Sequence, residues 1–376
     1  MRVVITGATG NVGTSLVEAL SVDPAVDSIL GIARRPTTWA PPKTEWASAD
    51  LRDAPLEDLF DGADAVVHLA WIFQPTHDPL ATWDNNVRGA ERVFEAAAAR
   101  GVGALVHASS VGAYRPRAGQ EPVAEDWPTD SLPSVAYGRE KAYLERVLDR
   151  VAAQHPVMRV VRMRPCFLFK AASASAQRRL FAGPLLPTSA LRLHPPKLPV
   201  PAGLRFQAMH TSDVAEAYRA ALHEPVRGAF NLAADPPIDP RLLAGALGAE
   251  PIEVPMGVVR SAVALAWHAR LLPASPHLVD LVAGIPLLDS TRARRELDWS
   301  PRRTGPEALA ELVEGLRTRG SFPPPPLAPD QLARADELVS GVGQFTSPPT
   351  SAGEPAQPQT TAQPQTASQS QTASRR

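Results

Sequence analysis

Short apolar runs alternate along the first half of the chain with longer stretches whose apolar residues recur at helical spacing. Val3-Val-Ile5 reads as a strand, and Val12, Leu16, Val17 and Leu20 share one face of a helix over 11–20. Residues 28–33 and 64–69 read as further strands. A long helix follows over 80–100 and stops at Gly101. Residues 103–108 form a strand, 134–154 a helix with Ser134 placed to cap it, and 157–163 a strand. Strand and helix alternating through short connections predict an α/β fold, a doubly wound parallel sheet covered by helices on both faces. Such sheets hold ligands at the carboxyl ends of their strands. The turn over 7–13, Arg34, Asp50, Ala70, Ser110 and Cys166 all fall there.

Beyond Phe169 the pattern loosens and becomes rich in proline. The expected division is a nucleotide-binding domain over 1–169 and a smaller substrate lobe over 170–320, some of whose segments return to the first domain. A linker with a short helix follows over 321–346, and then a tail over 347–376. The run Pro323-Pro-Pro-Pro326 reads as a stiff spacer. In the tail, Ala356-Gln-Pro-Gln-Thr360 repeats as Ala362-Gln-Pro-Gln-Thr366 with no large apolar residue nearby. Such a segment cannot bury enough surface to offset its ordering entropy, so disorder is expected.

Composition narrows the function. The 376 residues carry 38 basic and 39 acidic side chains, net −1, which argues against a nucleic-acid or anionic-membrane binder. Cys166 is the only cysteine, so no internal disulfide framework exists. The apolar stretch over 258–272 is broken by Arg260, His268 and Arg270 and is too short to span a bilayer. Met1 runs directly into the first strand with no leader pattern, and a cytoplasmic protein is the expectation. The nine histidines do not cluster at metal-ligand spacing, and no metal is expected.

The candidate chemistry comes in two parts. Thr6-Gly-Ala-Thr-Gly-Asn-Val-Gly13 places Gly7, Gly10 and Gly13 between the first strand and the first helix. Glycines there let the backbone turn tightly and approach a pyrophosphate, and the free N–H groups of the helix start, at Asn11, Val12 and Gly13, face it. About twenty residues further on, a fold preferring NAD carries an acidic residue for the ribose. Here Arg34 and Arg35 stand instead, which suits the 2′-phosphate of NADP. The second part is Tyr137 and Lys141, four residues apart and so on one helix face. A free phenol, with a pKa of roughly 10, is a poor base, and an ammonium beside it is expected to lower that value. Ser110, at a strand end, is placed to hydrogen-bond the substrate oxygen.

These residues resemble the extended short-chain dehydrogenase/reductase family, the NAD-dependent epimerase/dehydratase group. The likeness runs over about 1–320. It includes Asp50-Leu51, His68-Leu-Ala70, Asn86-Val-Arg-Gly89, Ser109-Ser-Val-Gly-Ala-Tyr114, Tyr137-Gly-Arg-Glu-Lys141, Arg164-Pro165, His210-Thr-Ser-Asp-Val-Ala215, Phe230-Asn-Leu-Ala233 and the run 290–299. The resemblance implies Ser110, Tyr137 and Lys141 as catalytic residues, with Ser109 taking the serine role if the register slips by one. It implies that Asp50 and Leu51 border the adenine and that Leu69 and Ala70 line the path to the nicotinamide ribose. Tyr137 and Lys141 would also touch the cofactor, Asn86 would support the active-site backbone, and Pro165 would start the loop by the nicotinamide. His210 and Asp213 are read as bracing the lobe. Family members often form homodimers through their two long helices.

Three departures bear on the substrate. After Arg164-Pro165 the chain reads Cys166-Phe-Leu-Phe-Lys170, where sugar-nucleotide members usually have a glycine. Phe206 stands where those members often carry an arginine. Trp71 and Phe73 place apolar bulk where substrate should lie, with Cys166 nearby. The resulting expectation is hydride transfer between NADP, less readily NAD, and a small or apolar carbonyl or alcohol. The alternatives are an NAD-dependent sugar-nucleotide epimerase or dehydratase and a non-catalytic NADP-sensing protein.

Overall fold

The computed structural model describes residues 1–329, apart from 75, 118, 120 and 182–195. The anticipated helix over 329–342 and the tail over 347–376 lie outside the described residues but for Pro329. The described residues form one compact unit.

Seven strands make the central sheet: β1 (Arg2–Thr6), β2 (Ser28–Ala33), β3 (Thr44–Ser48), β4 (Ala65–His68), β5 (Ala104–Ala108), β6 (Arg159–Pro165) and, from much later in the chain, β10 (Gly228–Leu232). Their order is β10-β6-β5-β4-β1-β2-β3, and every pair is parallel. The order reverses between β1 and β4, which opens a crevice at the carboxyl ends of those two strands. Alternate residues serve opposite faces. Val3, Ile5, Val67, Val106 and Met163 join one core with α1 (Asn11–Ser21) and α7 (Thr211–His223). Val4, Val66, Leu105 and Val160 join another with α2 (Leu56–Leu59), α4 (Gly89–Ala99) and α5 (Ala136–Gln154). Burial on both faces explains why these strands read as continuous apolar runs.

Three details differ from the reading of the sequence. β3, Thr-Glu-Trp-Ala-Ser, was not anticipated. It is an edge strand with no fully buried residue, so it lacks an apolar run. The 80–100 helix is in fact α3 (Pro79–Trp83), a π-helical turn over Asp84–Arg88, and α4. Ser134 does not cap α5: Val135 takes the cap position in extended conformation, and no side chain bonds the first turn. Val135 is 2% exposed, so its burial sets where the helix begins. β10 comes back from the second half of the chain to form the sheet edge.

The remaining elements are β7 (Phe167–Phe169) paired with β9 (Ala208–His210), β8 (Lys197–Pro201) paired with β11 (Glu250–Val254), and helices α6 (Ala174–Phe181), α8 (Pro240–Ala246), α9 (Met256–His268), α10 (Pro276–Gly284), α11 (Thr291–Glu296) and α12 (Gly305–Thr318). Val200 of β8, Ala208 of β9, Ala244 of α8 and Leu309 and Val313 of α12 gather with Leu204, Phe206 and Ile238 into a smaller core. His210 braces this part: its Nε2 lies 3.1 Å from Glu311 Oε1 on α12, and Asp213 accepts from the Arg303 N–H at 3.1 Å. Among the described residues no helix is long and apolar enough to cross a membrane.

Candidate active site

The turn between β1 and α1 is built for close approach. Gly7 has φ +73°, and a Cβ there would stand 2.6 Å from Ala70 N. A Cβ on Gly13 would stand 2.6 Å from Ala8 O. The loop after β4, carrying Leu69 and Ala70, therefore lies directly on the glycine turn. Gly10 is the cap residue of α1, its first-turn N–H groups have no side-chain cap, and no acidic residue stands in that turn. The Asn11 Oδ1 atom is buried without a hydrogen-bond partner. Uncapped N–H groups at a positive helix end, in a cradle that side chains would fill, fit the pyrophosphate of a dinucleotide.

At the end of β2, Arg34 and Arg35 are exposed, and Arg34 donates to Asn85 Oδ1 at 3.4 Å. Asp50 is engaged by Arg52 through two bonds of 3.0 and 2.8 Å, and that guanidinium pulls its carboxyl below the usual range against the upward push of burial. Leu51 offers its carbonyl to Arg92.

Tyr137 and Lys141 lie on α5, beside the end of β5. Tyr137 is half-buried. Phe73 stacks on its ring at 4.8 Å and 11°, and Trp71 meets it edge-on at 5.6 Å. Phe181 of α6 extends this aromatic wall, 5.7 Å from Phe73. Gly112 backs the ring on another side, where a Cβ would come within 2.8 Å of Tyr137 Cε1. Burial pushes the Tyr137 phenol up to about 12, and a hydrogen bond from Ser110 pulls it partly back. Lys141 Nζ donates to Ala108 O at 2.6 Å and lies 3.5 Å from the Trp71 ring centroid and 6.0 Å from that of Tyr137. Burial takes this ammonium down to about 7, with Glu140 and Glu145 pulling it up. The anticipated lowering of the tyrosine by the lysine is thus absent from this arrangement. Desolvation dominates both groups.

The two serines of the Ser109-Ser110 pair part ways. Ser109 donates to Glu145 Oε1 at 2.5 Å, in a buried network where Arg164 bonds Glu145 twice at 2.8 Å. Ser110 turns toward Tyr137 and accepts from Gly112 N–H at 3.0 Å. Pro165 ends β6 beside Leu232, and Cys166 follows, buried, with its thiol pushed up to about 12. A thiol so held is no nucleophile at neutral pH.

Asn86 sits on the π-helical turn and accepts from Ile72 N–H at 2.8 Å. It also donates to Ile72 O at 2.9 Å and to Glu140 Oε2 at 2.8 Å. Glu140, 1% exposed, takes a second bond from Thr82 at 2.7 Å. Reading the sequence missed Glu140 and Gly112. Glu140 stands inside Tyr137-Gly-Arg-Glu-Lys141, and a carboxylate flanking the lysine of that run was the available signal. A cleft of about 570 Å³ lined by Glu125, Arg162, Arg164 and Arg292 contains none of the residues around Tyr137, and its arginines are held by carboxylates. Among the described residues, no group of three His, Cys, Asp or Glu side chains is gathered as a metal set.

Residues 3–233 match the NAD dependent epimerase/dehydratase family. The chain belongs to that family, whose members are NAD(P)-dependent enzymes. An uncharacterized protein of Mycobacterium tuberculosis is 28% identical over 323 residues, which are 85% of this chain and 30% of that protein. The chain thus spans about a third of that relative's length. The L-arabinose 1-dehydrogenase (NAD(P)(+)) of Haloferax volcanii is 38% identical over 114 residues, 29% of this chain and 41% of that enzyme. Among solved structures, the UDP-glucuronic acid 4-epimerase of Bacillus cereus in complex with NAD superposes with a TM-score of 0.63 at 16% identity. That match covers 85% of this chain and all of the epimerase chain, and it establishes a shared fold.

Proposed function

We propose that this chain is an NAD(P)-dependent enzyme that moves a hydride to and from the carbon of a secondary alcohol. The observation that carries the proposal is the convergence of Ser110, Tyr137 and Lys141 at the end of β5, next to a glycine cradle shaped for a dinucleotide. Gly7, Gly10 and Gly13 with the start of α1 would hold the pyrophosphate. Leu69 and Ala70 would flank the glycine turn, and Asp50 and Leu51 would border the adenine end. The nicotinamide, when bound, supplies the hydride acceptor or donor. Tyr137 exchanges the proton of the substrate hydroxyl, and Ser110 orients that oxygen by hydrogen bonding. Lys141 lies at the floor of the site on the same helix, where its ammonium would hydrogen-bond the ribose of the cofactor.

Family membership supports the reading in which the hydride returns to the same substrate, as in an epimerase or dehydratase. The aromatic wall of Trp71, Phe73 and Phe181 favours a second reading, net oxidation or reduction of a substrate with an apolar group beside the carbonyl. Arg34 and Arg35 support NADP over NAD, since guanidinium groups pair well with a 2′-phosphate.

The nucleotide that accompanies the gently purified protein tests these readings. NAD retained through dialysis supports the internal cycle and removes the role given to Arg34 and Arg35. Protein that arrives empty and binds NADPH more tightly than NADH supports net oxidoreduction. Protein that binds neither nucleotide overturns the proposal.

A further inference from the structure

We propose that Trp71 is a positioning residue for Lys141, holding the ammonium over the face of its indole ring and in line with the Ala108 carbonyl. The inference rests on the reading of Lys141 as the charged group of the site. Lys141 is 4% exposed, and its hydrogen bond to protein is the one to Ala108 O. A buried ammonium without a bonded carboxylate is costly. The nearest acids on α5 are engaged elsewhere: Glu140 by Thr82 and Asn86, Glu145 by Ser109 and Arg164. From β4 and β5, His68 and His107 face the same region, and burial keeps both imidazoles neutral.

The Trp71 ring, 3.5 Å from Nζ to centroid, supplies the missing stabilisation. It does so without a counter-charge. A bonded carboxylate would neutralise the ammonium, whereas a π face leaves its net charge in place. An ammonium has three donors. With one on Ala108 and the ring covering one side, a donor is left for a ligand hydroxyl.

The backbone beside the indole is itself fixed. Ile72, next in the chain, has both its N–H and its carbonyl bonded by Asn86, and Asn86 is bonded to Glu140, the neighbour of Lys141 on α5. The circuit Lys141, Glu140, Asn86, Ile72, Trp71 closes on itself and sets the ring against the ammonium.

The test reads the Lys141 titration by NMR in the full chain labelled with carbon-13 at lysine Cε. The chain has only Lys43, Lys141, Lys170 and Lys197, and a Lys141→Arg sample assigns the signal. Trp71→Phe, which keeps a π face, should titrate with the wild type. Trp71→Leu should titrate lower by about one pH unit, since the ring favours the charged form. Trp71→Met serves as the ring-free variant if the leucine protein does not fold. A ring-free variant that titrates with or above the wild type overturns the proposal, as does a phenylalanine variant displaced as far as the ring-free one. The measurement needs neither substrate nor turnover, so it can succeed while the hydride-transfer reading fails, and the reverse.

Discussion

Lys141 and Glu145 stand one turn apart on α5, and both are buried, at 4% and 1% exposure. Their surroundings differ completely. Glu145 accepts two bonds from Arg164, one from Ser109 and one from Arg162. Those guanidinium groups hold its carboxyl below the usual range despite burial, and Arg164 is driven up in turn. Arg164 also donates to Tyr114, whose hydroxyl donates to Asn231 on β10. That network ties α5, β6 and β10 together and leaves Glu145 no bond for a ligand. Lys141 has a carbonyl, an aromatic face and no bonded carboxylate, so desolvation brings it down to about 7. A fully paired buried charge locks structure. A buried charge left without its counter-ion stays responsive to whatever binds.

The largest effect is expected at the responsive end. Tyr137→Phe should lower turnover by about a thousandfold, within the usual range for loss of a general acid/base, while leaving dinucleotide affinity near wild type. Once a substrate is in hand, steady-state rates beside a nucleotide titration measure this, and full activity in the variant ends the mechanism as written. On the locked side, Glu145→Ala leaves Arg164 buried without its carboxylate and should cost about 3–5 kcal/mol of stability. Urea unfolding reads that loss. A midpoint close to wild type would show that the pair is not a lock.

A third effect concerns pH. The folded-state pKa of Lys141 lies at about 7, below its ordinary value of 10.5. Between those values the unfolded chain binds a proton there that the folded chain has released, so this group's contribution to stability rises with pH across that window. Below pH 7 both states are protonated and the cost of burying the charge is fully present. Wild type should therefore gain on Lys141→Met in urea midpoint as pH goes from 7 to 10. Parallel curves would mean that Lys141 is solvated in the folded protein, and the contrast with Glu145 would collapse.

Much of this arrangement was legible in the order of residues. Strands buried on both faces must be apolar throughout, so β1, β4, β5 and β6 could be found as runs. The glycine turn showed because backbone packed this closely, against Ala70 and Ala8, has no room for a Cβ. A spacing of four on a helix put Tyr137 and Lys141 on one face. β3 stayed hidden because an edge strand with half-exposed residues has no apolar signature. The start of α5 was misplaced by one polar residue because packing of Val135 outweighed the capping preference of Ser134.

Three things were decided only by the tertiary structure. Ser109 and Ser110 are adjacent and chemically identical, and only the geometry of β5 against α5 sends one to Glu145 and the other to Tyr137. Trp71 reads as apolar bulk in the chain, and only the fold puts its face under an ammonium. The protonation balance of Tyr137 and Lys141 also escapes the sequence. Spacing reports that two groups are neighbours, but a pKa depends on how much water the surrounding chain excludes, and that is a property of the packed molecule.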